Sequence, residues 1–92
     1  MISMWQLIRG EKYFWFQTGD KATANKMKRR NKFRLVSYGH NPDVWVYEAI
    51  FTRPDIARNA LKTLAGNVVK YDKNDDVYYA TIRISEEENW AA

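Results

Sequence analysis

The sequence predicts an α+β domain in which an antiparallel or mixed β-sheet carries two helices on one face. Six short segments have the alternation and turn punctuation of strands, and two have helix signals. They follow one another in the order ββαββαββ, which is typical of a sheet covered by helices. The 92 residues are 46% hydrophobic, enough for one modest core, so we expect a single domain over residues 1–92.

Three hairpin signals define the strands. The paired segments are MWQLIR and KYFWFQT around Gly10-Glu11, FRLVSYG and VWVYEAIF around GHNPD, and NVVKYD and VYYATIRIS around KNDD. The inner six elements are ordered as in the ferredoxin-like core that many nucleic-acid-binding domains share. The two halves have similar spacing without clear residue identity, so we expect any internal repeat to be structural only.

The first helix is predicted over residues 22–30, after capping oxygens in Thr18-Gly19-Asp20. Its apolar face is narrow, with Ala24 and Met27 alone, so we expect several of its lysines to lie in water. The second helix, TRPDIARNALKTLAG, has clearer signals in a Thr52 cap, Pro54 in the first turn and Gly66 at the end. Its predicted buried face consists of Ile56, Ala57, Ala60, Leu61 and Leu64.

Alternation assigns the strand side chains to two faces of the sheet. The core-facing set is Phe14, Phe16, Phe33, Leu35, Trp45, Tyr47, Phe51, Tyr78, Ala80, Ile82 and Ile84. The opposite set is Tyr13, Trp15, Gln17, Arg34, Val36, Tyr38, Lys70, Tyr79, Thr81 and Arg83. Bases stack on aromatic rings while cations contact phosphates, so the opposite set has the chemistry of a nucleic-acid-binding face. Alternatively, these aromatics fill a second small core, since Tyr and Trp are common in strands.

The stretch KATANKMKRRNKFR, residues 21–34, carries much of the positive charge. Seven of its fourteen residues are Lys or Arg and none is acidic. Residues 1–42 hold nine basic and two acidic residues, whereas residues 43–92 hold six basic and nine acidic ones. Like charges three or four apart reduce helix stability by ~0.2–0.5 kcal/mol per pair, and no glutamate relieves that cost here. The pattern favours an anionic partner, and a solvated helix face is the alternative.

Residue types for catalysis or metal binding are scarce. There is no cysteine, His40 is the sole histidine, and the three serines lack a nucleophile setting. The segment DKNDD begins like a calcium loop but has Val77 and Arg83 where that loop needs glycine and glutamate. We therefore expect no enzyme, no cofactor and no metal.

The sequence also bears on location. No segment has the pattern of a signal peptide or of a membrane span, so we expect a soluble cytoplasmic protein. The acidic residues 86–92 are expected to form a frayed tail.

The segment KYFWFQTGDKATANKMKRRNKFRLVSYG, in a short, cysteine-free, aromatic-rich and charge-polarised chain, resembles the small accessory proteins of tailed phages. The resemblance implies a host-takeover or anti-defence protein that acts by binding. Its target would be a host macromolecule such as a defence system or a toxin.

Two functions are consistent with these features. The first is a nucleic-acid-binding protein, for RNA or single-stranded DNA, in which cations contact phosphates and aromatics stack on bases. The candidate residues are Lys21, Lys26, Lys28, Arg29, Arg30, Lys32, Arg34, Trp15 and Tyr38. The second is an inhibitor or adaptor whose basic helix binds an acidic surface of a host protein.

Overall fold

The protein is an α+β domain with six antiparallel strands in one sheet and two helices. The computed structural model describes residues 1–40 and 43–83. Its elements are β1 (Ile2–Gln6), β2 (Tyr13–Thr18), α1 (Lys21–Lys28), β3 (Phe33–His40), β4 (Asp43–Ile50), α2 (Pro54–Ala65), β5 (Lys70–Asp72) and β6 (Val77–Ala80). The predicted element order is confirmed, and of the two predicted forms of sheet, antiparallel or mixed, the structure has the antiparallel one.

The strands lie in the order β3-β4-β2-β1-β6-β5, so the ferredoxin-like prediction is wrong. That arrangement needs the last strand of the inner unit, here β5, to pair beside β2. The place beside β2 is taken by β1, because the first hairpin pairs Ile2 with Thr18 and Gln6 with Phe14. β6 then pairs with the free edge of β1, and β5 is displaced to the far edge of the sheet.

The strand order is symmetric about the central β2–β1 pair. In this two-fold arrangement of the strands, β4 corresponds to β6 and β3 corresponds to β5. The two helices run in opposite directions, because α1 leaves β2 and α2 leaves its antiparallel neighbour β4. In the β3–β4 and β5–β6 hairpins, residues 33 positions apart occupy corresponding places, and a few of them are identical. The identical pairs are Val36 with Val69, Tyr38 with Tyr71, Asp43 with Asp76, and Val44 with Val77, and the pair of Trp45 and Tyr78 is aromatic at both positions.

One core fills the space between the helices and one face of the sheet. Its buried residues are Ile2, Met4, Phe14, Phe16, Ala24, Met27, Phe33, Tyr47, Ala49, Phe51, Ala57, Leu61, Leu64, Ala65 and Ala80. Both helices contact strands on this face and also contact each other, so the prediction that they share a face is confirmed. The prediction for Ile56 is wrong, because the residue is 39% exposed. Of the other residues of the predicted face, Ala57, Leu61 and Leu64 are fully buried and Ala60 is partly buried.

The ends of α2 agree with the sequence except at its cap. Pro54 occupies the first turn, and Gly66 ends the helix with φ +67°, a left-handed conformation that glycine adopts readily. Arg53, rather than Thr52, stands at the cap position without a capping hydrogen bond from its side chain. Its guanidinium instead pairs with Asp55, with Nη2 and Oδ2 2.8 Å apart.

The first hairpin has a longer connection than the predicted Gly10-Glu11 turn. β1 ends at Gln6, and residues 7–12 link it to β2, with Gly10 at φ +90°. Leu7 and Ile8 lie in this connection and are exposed. Because Leu7 and Ile8 are apolar, the sequence predicted a longer first strand than the structure has.

The last hairpin is shorter than predicted, because β5 begins at Lys70 and β6 ends at Ala80. β1 begins at Ile2, which pairs with Ala80, so β1 offers no further partner to β6. The chain then runs to the end of α2, where the Arg83 N–H donates to the Ala65 carbonyl at 2.8 Å. Residues 84–92, and with them the predicted acidic tail, lie outside the described residues.

Candidate nucleic-acid interface

The start of α1 is fixed by a side-chain cap. The carboxylate of Asp20 accepts hydrogen bonds from the Thr23 backbone N–H at 2.9 Å and from the Thr23 hydroxyl at 2.7 Å. These bonds, led by the one from the hydroxyl, hold the pKa of Asp20 below its ordinary value. Thr23, Ala24 and Met27 are buried, which anchors one side of the helix and turns its lysines outward.

Six exposed cations surround α1 and the turn after it. We call them the basic surface: Lys21, Lys26, Lys28, Arg29, Arg30 and Lys32. Within residues 1–40 and 43–83, no carboxylate forms an ion pair with any of the six. The ion pairs found there join Arg34 to Glu48 and Arg53 to Asp55.

Part of this charge has a structural role. Lys26 and Lys28 stand in the last turn of α1, where cations interact favourably with the helix dipole. Arg29 donates from Nε to the Asn25 carbonyl at 3.3 Å, and Lys32 Nζ lies 5.0 Å from the centre of the Phe51 ring. Lys21 has the opposite situation, since a cation in the first turn is disfavoured by the dipole. The positive charge therefore exceeds what the helix needs.

Tyr38 does not lie on the predicted face. A bulge in β3 shifts its register against β4 between Leu35 and Ser37, so Tyr38 pairs with Trp45. Trp45 lies two residues before the buried Tyr47 on β4, so both side chains point to the same face of the sheet, toward the helices. One extra residue in a strand reverses every side chain after it, which moves Tyr38 to the helix side.

A groove between α1 and the β3–β4 hairpin brings Tyr38 next to the basic surface. We call it the α1 groove; it has a volume of about 420 Å³ and is lined by Asn25, Lys28, Leu35, Tyr38 and Trp45. The Tyr38 and Trp45 rings are stacked, with centroids 4.9 Å apart and planes at 27°. Tyr38 remains 39% exposed. An aromatic surface beside a lysine is a suitable contact for a base and its phosphate.

Trp15 and Arg34 lie on the opposite face of the sheet, away from this groove. Both bind one carboxylate: Trp15 Nε1 donates to Glu48 Oε2 at 3.1 Å, and Arg34 Nη2 donates to Glu48 Oε1 at 2.9 Å. These hydrogen bonds, Arg34's being the stronger, lower the pKa of Glu48. Arg34 is therefore neutralised by its partner, and the nine predicted residues divide between two surfaces.

Sequence reasoning identified Lys28 and Tyr38 but missed Asn25, Leu35 and Trp45 among the residues that line the α1 groove. Trp45 was assigned to the core, and it does pack against the core while still lining the groove. The spacing of Asn25 and Lys28, three positions apart on one helix face, could have indicated a shared surface.

The described residues contain no group of three or more His, Cys, Asp or Glu that could hold a metal ion. The DKNDD segment forms the turn between β5 and β6, as the sequence predicted. The His40 side chain lies outside what the structure describes. No helix in residues 1–40 and 43–83 has the length and apolar character needed to cross a membrane.

No family model matches this chain, and comparisons with curated proteins and with solved structures give no significant match.

Proposed function

We propose that this protein binds nucleic acid, RNA or single-stranded DNA, through its basic surface and acts by binding rather than by catalysis. The observation that carries the proposal is the set of six exposed cations around α1 without a carboxylate partner in the described residues. The successive phosphates of a polyanion can offset the mutual repulsion of these cations. Contacts between cations and phosphates provide affinity, while contacts to bases provide selectivity.

The α1 groove favours a single strand over a duplex. Its Tyr38 ring is partly exposed and lies in the same groove as Lys28. An unpaired base can stack on that ring while Lys28 contacts the adjoining phosphate, and a base inside a duplex cannot. We expect dissociation constants of ~1–100 μM for random sequences at physiological salt, which is the usual range for binding through phosphates.

Fluorescence anisotropy tests the proposal by measuring binding to labelled single-stranded RNA, single-stranded DNA and duplex DNA. The triple variant Lys28→Gln, Arg29→Gln, Arg30→Gln should bind both single strands at least tenfold more weakly than the parent. A matched control, Arg9→Gln, Lys12→Gln, Lys73→Gln, removes the same charge from other exposed sites and should lose much less. Equal losses in the two variants would mean that net charge alone attracts the polyanion.

An inhibitor or adaptor that binds an acidic host protein is the second candidate. The resemblance to accessory proteins of tailed phages suggests it, and one structural feature favours it. The sheet face without helices carries the half-buried Trp5 and Trp15 and the exposed Tyr13 and Ile50, apolar groups that nucleic-acid binding does not use. Absence of binding to any nucleic acid at low salt would favour this candidate.

A further inference from the structure

The two-fold arrangement of the fold places a second groove at the other edge of the sheet. We call it the α2 groove; it has a volume of about 350 Å³ and lies between α2 and the β5–β6 hairpin. Its lining includes Arg58, Asn59, Lys62, Lys70, Tyr71 and Tyr78. β5 and β6 are the two-fold counterparts of β3 and β4, so the α1 and α2 grooves occupy equivalent positions.

The aromatic pairs of the two grooves have the same geometry. Tyr71 pairs with Tyr78 across β5 and β6, as Tyr38 pairs with Trp45 across β3 and β4. The ring centroids of Tyr71 and Tyr78 are 4.7 Å apart with planes at 36°, and Tyr71 is 45% exposed. Both grooves thus present one partly exposed tyrosine supported by a second aromatic ring.

The helix sides of the grooves are also alike, although their matching residues lie 34 positions apart rather than 33. α1 contributes Asn25 and Lys28, and α2 contributes Asn59 and Lys62 with the same spacing of three residues. Residues three apart on a helix lie on one face, so each groove has an amide and an ammonium side by side. The amide can hydrogen-bond to a base edge, and the ammonium can contact a phosphate.

The α2 groove has additional positive charge. The Arg58 guanidinium lies 5.7 Å from the centre of the Tyr78 ring, and Lys70 lines the groove from β5. Its acidic residue Asp55 is ion-paired with Arg53, and Asp76 accepts a hydrogen bond from the Tyr71 hydroxyl at 2.7 Å. Three cations line the α2 groove, Arg58, Lys62 and Lys70, against one carboxylate, that of Asp55.

We propose that the α2 groove is a second nucleotide-binding site, equivalent to the α1 groove, so that one chain binds two single-stranded segments. In each groove one unpaired base stacks on the exposed tyrosine and its phosphate contacts the lysine. The inference rests on the proposed function. The grooves lie near opposite edges of a six-stranded sheet, about 20 Å apart from the spacing of strands. A long strand that reaches both grooves gains avidity without any new contact.

Calorimetric titration with the tetranucleotides dT4 and rU4 measures the stoichiometry. The parent should bind two tetranucleotides per chain, and the variants Tyr38→Leu and Tyr71→Leu should each bind one. Because Tyr71→Leu alters a short edge strand, Lys62→Gln on α2 serves as a second variant and should weaken one of the two sites by about tenfold. Lys28→Gln is the matched change in the α1 groove.

Crosslinking of a 4-thiouridine tetranucleotide, mapped by mass spectrometry, identifies the occupied positions. Crosslinks to both Tyr38 and Tyr71, or their groove neighbours, would support the second site. One tetranucleotide per chain, crosslinked at the α1 groove and unaffected by Lys62→Gln, would overturn it while leaving the proposed function intact. No binding of tetranucleotides or longer strands at low salt would overturn both.

Discussion

The side chain of Asp20 accepts two hydrogen bonds from Thr23, one from the backbone N–H at 2.9 Å and one from the hydroxyl at 2.7 Å. This cap starts the helix that presents the basic surface. Asp20→Ala should reduce the free energy of unfolding by about 0.5–2 kcal/mol, the usual range for loss of a cap. Urea denaturation followed by circular dichroism measures the change, and an unaltered midpoint would contradict the role of the cap.

The same contact predicts a pH dependence. The pKa of Asp20 is lower in the folded chain than its ordinary value, led by the hydrogen bond from the Thr23 hydroxyl. Its stabilisation is therefore present above the ordinary carboxyl range and is lost as the pH falls through the folded pKa. Asp20→Asn is the control, because it caps nearly as well without titrating. Between pH 6 and pH 3, the parent should lose more stability than Asp20→Asn.

The core predicts a contrast between two residues of α2. Leu61 is fully buried and Ile56 is 39% exposed, although both were expected to be buried from the sequence. Leu61→Ala should reduce the free energy of unfolding by ~2–5 kcal/mol, whereas Ile56→Ala should cost less than about 1 kcal/mol. Thermal or urea denaturation of the two variants compares them directly. Similar losses would mean that α2 is rotated relative to the sheet.

The location of Arg34 predicts that it contributes little to nucleic-acid binding. Arg34 is ion-paired with Glu48 on the face opposite α1, whereas Lys28 lines the α1 groove. Arg34→Gln and Lys28→Gln each remove one positive charge from the same chain. Anisotropy with labelled single-stranded DNA should show the greater loss of affinity for Lys28→Gln. The reverse order would place the interface on the face without helices.

Local signals in the sequence were sufficient to predict the presence and end of α2 and the cap of α1. Pro54 and Gly66 limit backbone conformation at their own positions, and Asp20 acts on a residue three positions away, so neighbouring residues alone indicate these boundaries. The burial of Phe14 and Phe16 followed from alternation within one strand. These features need no knowledge of distant parts of the chain.

The strand order and the position of Tyr38 depend on distant pairings. β6 pairs with β1 although most of the chain separates the two strands in sequence, and no local pattern predicts this pairing. The bulge after Leu35 shifts the register of β3 against β4 by one residue. A prediction from strict alternation cannot include such a shift. The 33-residue separation of Tyr38 and Tyr71 was present in the sequence, but only the strand order shows that the two tyrosines lie on corresponding strands, β3 and β5.

The salt dependence of binding tests the central claim most directly. The dissociation constant for a labelled single strand is measured from 50 to 300 mM NaCl for the parent and for Lys28→Gln, Arg29→Gln, Arg30→Gln. Each lost phosphate contact reduces the log–log slope by ~0.7 on single strands, so three lost contacts predict a reduction of ~2. The variant should remain as stable as the parent, because glutamine keeps helix propensity and like-charge repulsion is removed. A folded variant with the parent's affinity and slope would show that the basic surface of α1 is only a solvated face.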